Sequence, residues 1–309
     1  MTSVSVFTVG LAASTLLLGS FPSPAGGALP RVAQSRSLFR ADFFAAATVI
    51  TLREKGSLMV RIAAGSTWLG STELEIVEAA ALCAEEPLAQ RCNEHTFENE
   101  FEKRREQVPS FWIDRYEVSV REYMRCVRVG ACQPPGYASG GDRFNRPDYP
   151  VSFVTHADAA AYCRFRGARL PHEAEFERAA RGSNGRAYPW GELYNGRVLN
   201  HGRLGVFEND PSDGFAELAP VGSFPDGRSP EGVFDLAGNV AEWQAEPYRE
   251  SSKEPFPEEN ESAPRVARGG SFLRAAAFVR GAARERFAAT TQRPDLGLRC
   301  ARSAQDSAR

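Results

Sequence analysis

The residues of this 309-residue chain that are best suited to chemistry lie in its C-terminal half, where oxygen-bearing side chains flank turns that contain glycine. Asp235 and Glu242 bracket the turn at Gly238-Asn239, and Asp213 directly precedes Gly214. Hard cations such as Ca²⁺ prefer several oxygen ligands, combining carboxylates with backbone carbonyls from tight turns. Both segments are therefore candidate calcium loops, although the same residue types also form ordinary turns.

Two other chemistries have weaker support. Ser271 lies outside any Gly-x-Ser-x-Gly elbow and has no evident histidine partner, so a packed strand is favoured over a nucleophile. An open iron site of two histidines and a carboxylate would have to draw on His95, His156, His172 and His201. Two of these histidines lie beside predicted helix starts, which favours a local structural role.

The elements that must position these residues are short. A strand at Met59–Ile62 is followed by a second apolar strand through Gly70, which together predict an opening hairpin. Further strands are predicted at 111–118 and 150–154. Three helices carry start or stop signals. The first begins at a capping box formed by Ser119 and Glu122. The second has its N-cap at Thr155 and its C-cap at Gly167, and the third begins at Pro171 and stops at Gly182.

Composition and charge narrow the function. The chain is 42% hydrophobic, which is typical of soluble globular proteins. Its formal net charge is −2 and its isoelectric point is near 6.2. A chain so evenly balanced gains little from polyphosphate or from an anionic membrane surface, so nucleic-acid binding is not expected.

The N-terminus predicts export. The apolar run 4–21 precedes Pro22 and a stretch of small residues, which is typical of a secretory signal at 1–28, with an uncleaved anchor as the alternative. We interpret 29–55 as a linker, 56–304 as one domain containing a charged, solvated insertion at 72–106, and 305–309 as a tail.

The six cysteines are consistent with export. Cys83 with Cys92, and Cys126 with Cys132, are close in sequence within loop-prone segments, which predicts local disulfides in an oxidising compartment. Zinc binding would require closer cysteine spacing or histidine companions, and neither is present.

Three phrases in the C-terminal third resemble a known family. They are Gly232–Trp243, Arg268–Phe272 and Leu296–Ala301, and in this order they resemble the formylglycine-generating-enzyme (sulfatase-modifying factor) family. The resemblance runs from about Gly56 to Arg302. It implies an α+β, C-type-lectin-like fold that is loop-rich, with few helices and short antiparallel strands, stabilised by calcium and disulfides. It also implies that Cys163 pairs with Cys300.

The resemblance assigns ligands for about two structural calcium ions. At one site Asp235 and Glu242 would bind through side chains, and Gly238 and Val240 through carbonyls. The other site would combine the side chains of Asn200 and Asp213 with the carbonyls of His201 and Phe215.

The family's copper-binding cysteine pair is missing. Counted from the Arg-Gly-Gly-Ser phrase, its positions fall on Arg274 and on Ala276 or Val279, none of which can replace the thiolates that Cu(I) selects. The family's tryptophan at Ala241 is also absent, and so is a cysteine pair at Ala180 and Gly281. Copper-dependent formylglycine formation is therefore not expected.

The resemblance also implies a substrate cleft. By resemblance Ser271 would line it, and Arg274, Arg280, Arg284 and Arg286 could bind a carboxylate, a sulfate or a peptide backbone there. Alternatively, acids on the same surface pair with these arginines. The sequence thus predicts an exported module that binds a peptide, a protein or a small anionic ligand. The alternative is an oxidoreductase or peptide-maturation enzyme of the family with a different metal or cofactor.

Overall fold

The computed structural model describes the residue ranges 51–54, 57–85, 92–100, 102–137, 141, 143–203, 210–250 and 263–304. The predicted signal at 1–28, nearly all of the predicted linker and the tail at 305–309 lie outside these residues. Within the described part of the chain, no helix is both long and apolar enough to cross a bilayer.

The described residues form four helices and ten short strands. The helices are α1 (Glu73–Ala84), α2 (Val120–Arg128), α3 (His156–Phe165) and α4 (Glu173–Arg181). The strands are β1 (Thr51–Glu54), β2 (Ser57–Ile62), β3 (Gly65–Leu69), β4 (Arg104–Val108), β5 (Phe111–Asp114), β6 (Ala241–Pro247), β7 (Pro264–Arg268), β8 (Arg284–Ala288), β9 (Leu296–Gly297) and β10 (Ala301–Ser303). The expected α+β fold with few helices is confirmed.

The strands form three small sheets, in the orders β1-β2-β5-β10, β3-β4 and β8-β7-β6-β9. All pairs are antiparallel except β6 with β9. The predicted opening hairpin is wrong, because β2 pairs with β1 and β5 whereas β3 pairs with β4. Strand β1 also falls inside the predicted linker, so the first sheet begins before residue 56.

The segment 150–154 is not a strand. It makes one isolated bridge, Ser119 with Pro150, and Phe153 adopts a φ of +55° that ends any extended run. Its conformation is fixed by side chains instead, since the buried Trp243 indole donates to the Val154 carbonyl at 3.0 Å. The apolar pattern of 150–154 correctly indicated a buried segment, but it wrongly predicted a strand.

The helix signals are confirmed with one shift. Ser119 and Thr155 cap α2 and α3, each with a reciprocal acid three residues later. Helix α4 begins at Glu173 rather than at Pro171, because the Glu175 carboxylate accepts the His172 backbone N–H at 2.9 Å and makes His172 the cap. It ends at Gly182, whose φ is +65°.

All three disulfides are present, joining Cys83 to Cys92, Cys126 to Cys132 and Cys163 to Cys300. The long-range bond ties α3 to the residue before β10, where both cysteines are fully buried in the largest core cluster.

Candidate functional site

The candidate calcium loop around Asp213 brings three of its four expected residues into contact. The Asp213 carboxylate accepts backbone N–H groups from both His201 and Phe215, each at 2.8 Å. Asn200 precedes His201 and is almost completely buried, and its Oδ1 has no hydrogen-bond partner. Burial raises the pKa of Asp213. The Asn200 amide nitrogen donates to the Glu217 carbonyl and to Asn239 Oδ1. A buried oxygen without a partner is costly when nothing binds it, so Asn200 Oδ1 is a candidate cation ligand.

The second candidate loop holds a buried cluster of charges. Both oxygens of Glu242 accept from the Arg299 guanidinium, at 2.6 and 2.7 Å, and both side chains are completely buried. Asp235 adopts a φ of +55° and accepts the Gly222 N–H at 2.7 Å. Arg299 therefore already bonds one of the proposed ligands, although each carboxylate oxygen retains a second lone pair.

Glu117 belongs to this cluster and was missed from the sequence. Its carboxylate accepts the Asn239 side-chain amide at 2.6 Å and the Val240 N–H at 3.1 Å, so it fixes the Asp235–Glu242 turn. Burial, and then repulsion from Asp235 and Glu242, raises its pKa well above the ordinary range. Burial likewise raises the pKa of Glu242, and that of Asp235 to about 6. Three buried acids share one arginine, which leaves an excess of negative charge.

The positions of the copper ligands are packed as an apolar surface. Residues 276–279 form a short 3₁₀ helix that packs against α1, and Ala276, Ala277 and Val279 are buried. Phe97 lies against Phe278, with ring centroids 5.2 Å apart. The predicted solvated state of 72–106 is therefore wrong for the inner face of this insertion, because that face covers the 276–279 segment.

An ion pair anchors the same insertion. Glu100, only 3% exposed, accepts two bonds from the Arg280 guanidinium, at 2.6 and 3.0 Å. The signal for this packing was available in the sequence: the Thr72–Glu75 capping box and the spacing of Ile76, Ala79 and Cys83 indicate an amphipathic helix.

The other cleft residues do not present an anion site. Arg274 is paired with Glu285, Arg286 with Glu250, and Arg284 makes two bonds to Glu173 at 2.7 and 3.0 Å. The alternative of paired surface arginines is therefore what the structure contains.

Ser271 is also engaged. It is fully buried, and its hydroxyl donates to the Asp295 carboxylate at 3.0 Å. No histidine bonds to it among the described contacts, in keeping with a structural role rather than a nucleophilic one.

The four histidines are dispersed. Their ring nitrogens lie beside the Glu98 carboxylate, the Gln244 carbonyl, the Glu246 carboxylate and the Gly202 carbonyl, for His95, His156, His172 and His201 respectively. Within the described ranges, no three His, Cys, Asp or Glu side chains are arranged to hold a metal. The candidate calcium loops would bind an ion partly through backbone carbonyls, so they do not require three such side chains.

Two neighbouring cavities lie where α4 begins. One, of about 200 Å³, is lined by residues that include Asn99, Glu173 and Arg284. The other, of about 420 Å³, is lined by residues 106–110 on one side and by the start of α4 on the other. Glu106, Ala174 and Glu246 line both cavities.

Comparison with known proteins identifies the family to which this chain belongs. The sulfatase-modifying factor enzyme 1-like domain matches residues 46–304. The inactive Cα-formylglycine-generating enzyme 2 of Mus musculus is 38% identical over 182 residues, covering 56% of this chain and 54% of that protein. The formylglycine-generating enzyme of Streptomyces coelicolor is 38% identical over 186 residues, covering 56% and 58%. The matched regions thus span little more than half the length of these relatives.

Solved structures share the fold. PvdO from Pseudomonas aeruginosa aligns with a TM-score of 0.63 at 22% identity, covering 82% of this chain and 98% of that one. CarF aligns with a TM-score of 0.54 at 18% identity, covering 81% and 99%. At such identities the likeness concerns the fold alone.

Proposed function

Because this chain belongs to the sulfatase-modifying factor family, we propose that it is an exported, calcium-stabilised binding module without copper-dependent oxidase activity. The observation that carries the proposal is the packing of residues 276–279. At the positions where the resemblance places copper ligands, Ala276 and Val279 are buried and the Arg274 guanidinium is bonded to Glu285. The residues between Ala276 and Val279, which are Ala277 and Phe278, pack against α1 and Phe97. Two thiolates are needed to hold Cu(I), and this surface offers none.

The relatives support this interpretation at the level of their names. Two of the matching proteins, from Mus musculus and Bos taurus, are called inactive formylglycine-generating enzymes. Others in the same range of identity are called formylglycine-generating enzymes. Members of the family therefore carry names with and without the activity.

Calcium would stabilise the loop-rich half of the domain. Asn200, Asp213 and the carbonyls of His201 and Phe215 would hold one ion, and the unpartnered Asn200 Oδ1 favours this site most directly. The Asp235–Glu242 turn would hold the other, where positive charge would offset the excess of buried carboxylates. In both places the protein would supply the oxygen ligands and the ion would supply the compensating positive charge.

Binding is the function that this scaffold retains. Loops held by three disulfides can present a fixed surface to a peptide, a protein or a small anionic ligand. The disulfides also favour an oxidising compartment, consistent with export.

The oxidase question is tested by incubating the protein with Cu(I), oxygen and a Cys-x-Pro-x-Arg peptide, using the Streptomyces coelicolor relative as positive control. We expect no mass change at the peptide cysteine. Turnover comparable to the control would overturn the proposal.

The alternative, an oxidoreductase or maturation enzyme that uses another metal, predicts a different result. Such an enzyme would retain stoichiometric iron or copper after purification without chelators. Titration of the purified protein with Fe(II), followed by calorimetry, distinguishes the two hypotheses, because the binding module would show no stoichiometric uptake.

A further inference from the structure

The 420 Å³ cavity is a groove beside the outer edge of β4. None of its lining residues belongs to the candidate calcium loops or to the segment 274–280. One wall is the continuous stretch 106–110. The other wall includes Arg169, His172, Glu175 and Glu246.

The lining of the first wall indicates that a strand edge faces the groove. Three consecutive residues of β4, 106–108, line the cavity, and 109–110 continue the wall beyond the strand. Successive side chains of a strand point to opposite faces, so three consecutive strand residues border one cavity most readily at the edge of the strand. Among the described strands, β4 pairs with β3 alone, through the register Gly65–Val108 to Leu69–Arg104. Its other edge is therefore available to a further strand.

An open strand edge needs either protection or a partner. Proteins commonly place charged residues on such edges to prevent self-association, and β4 reads Arg104-Arg105-Glu106-Gln107-Val108. These charges disfavour pairing with a second copy of the same edge. They leave the edge open to a partner of matching charge.

Three carboxylates line the groove, against one guanidinium and one imidazole. Arg169 makes two bonds to Glu175, at 2.6 and 2.7 Å. Glu246 has His172 as its side-chain partner, at 2.6 Å, and Glu106 lies 3.5 Å from the Arg104 guanidinium in a pair that is more than 40% exposed on both sides and therefore weak. These two glutamates flank the small side chain of Ala174 where the two cavities meet.

We propose that this groove binds an extended peptide as an added strand on β4, with a lysine or arginine side chain placed between Glu106 and Glu246. Main-chain hydrogen bonds along an edge supply affinity in this mode, and side-chain pockets supply specificity. The inference rests on the proposed function, and it assigns the binding module a cationic, extended ligand and a location.

The test uses a fluorescent hexapeptide of alternating Thr and Val with one central Lys, measured by anisotropy on the full chain. Two probes serve as controls: one with Glu in place of Lys, and one N-methylated at alternate residues to remove backbone donors. We expect both controls to bind about tenfold or more weakly than the parent. Bound parent peptide should protect the amides of 104–110 from hydrogen exchange.

Protein variants locate the site. Glu106→Gln combined with Glu246→Gln should weaken binding of the Lys probe about tenfold, whereas Glu73→Gln, an exposed change on α1, should leave it unchanged. If the double variant unfolds, Glu106→Gln alone should weaken binding by a smaller factor. Equal binding of the N-methylated probe, unaltered exchange at 104–110, or no binding would overturn the inference.

The two proposals fail separately. Absence of peptide binding would contradict the groove proposal and would leave the proposed lack of oxidase activity unaffected. Turnover of the Cys-x-Pro-x-Arg peptide would contradict the proposed function, whereas strand addition at β4 could still be measured.

Discussion

Two segments of the C-terminal third, separated by about thirty residues, differ in what they bury. The Asp235–Glu242 turn buries carboxylates that share the Arg299 guanidinium. The 274–280 segment buries small apolar side chains, and its arginines are paired within the chain. This contrast leads us to propose cation binding at the first segment and no thiolate chemistry at the second.

The largest expected effect is at the buried ion pair of Glu242 with Arg299. Arg299→Ala removes the guanidinium that holds Glu242, leaving a buried carboxylate without its partner, and should cost about 3–5 kcal/mol of folding free energy. Urea unfolding measures this loss. A cost below about 1 kcal/mol would show that the charge cluster does not depend on Arg299.

Phe97→Ala tests whether the 72–106 insertion covers the 274–280 segment. This change removes the ring that packs on Phe278 and should cost about 3 kcal/mol, as expected for a buried aromatic. The response to calcium should be unchanged, because the ring belongs to the other region. A solvated insertion would instead give a change within about 0.5 kcal/mol.

Calcium binding at the first loop is tested by Asp213→Ala. We expect a lower melting temperature and a weaker response to chelator, measured by scanning fluorimetry with and without EGTA. Asp226→Ala, in an exposed turn, is the matched control and should respond to chelator as the wild type does. Identical chelator responses in the two variants would reduce Asp213 to a turn residue.

A smaller effect concerns pH. The pKa of Asp235 is raised to about 6, and burial raises that of Glu117 well above its usual range, so these two groups retain protons in the folded state that the unfolded chain has already released. Their contribution to the stability of the calcium-free protein should be complete below about pH 4 and should be lost as pH rises through about 6. Saturating calcium should flatten this profile. A calcium-free profile that rises over the same interval would contradict the charge cluster.

The sequence predicted the parts of the fold that local signals determine. Capping boxes at Ser119 and Thr155 placed two helices, and the ordered C-terminal phrases predicted the family and the Cys163–Cys300 bond. Pairing partners could not be predicted, because alternation in β2 and β3 does not identify which strand lies beside each. The same limit produced the incorrect hairpin.

The candidate site, like the fold, could be predicted from the sequence only in part. The contacts of Asp213 with His201 and Phe215 join residues that the family resemblance had grouped, and calcium binding by them stays a prediction. Glu117 was missed because nothing local marks a glutamate on the 111–118 segment as buried beneath a turn 120 residues away. The arginine pairs were left open for a related reason: acids such as Glu100 and Glu173 come from distant parts of the chain.

The most direct test of the central claim is the metal content of the mature domain, purified from an oxidising compartment without chelators and measured by plasma mass spectrometry. We expect about two calcium ions per chain and no stoichiometric transition metal. Stoichiometric copper or iron would contradict this expectation, because the 276–279 segment could then not be the inert packing surface described above.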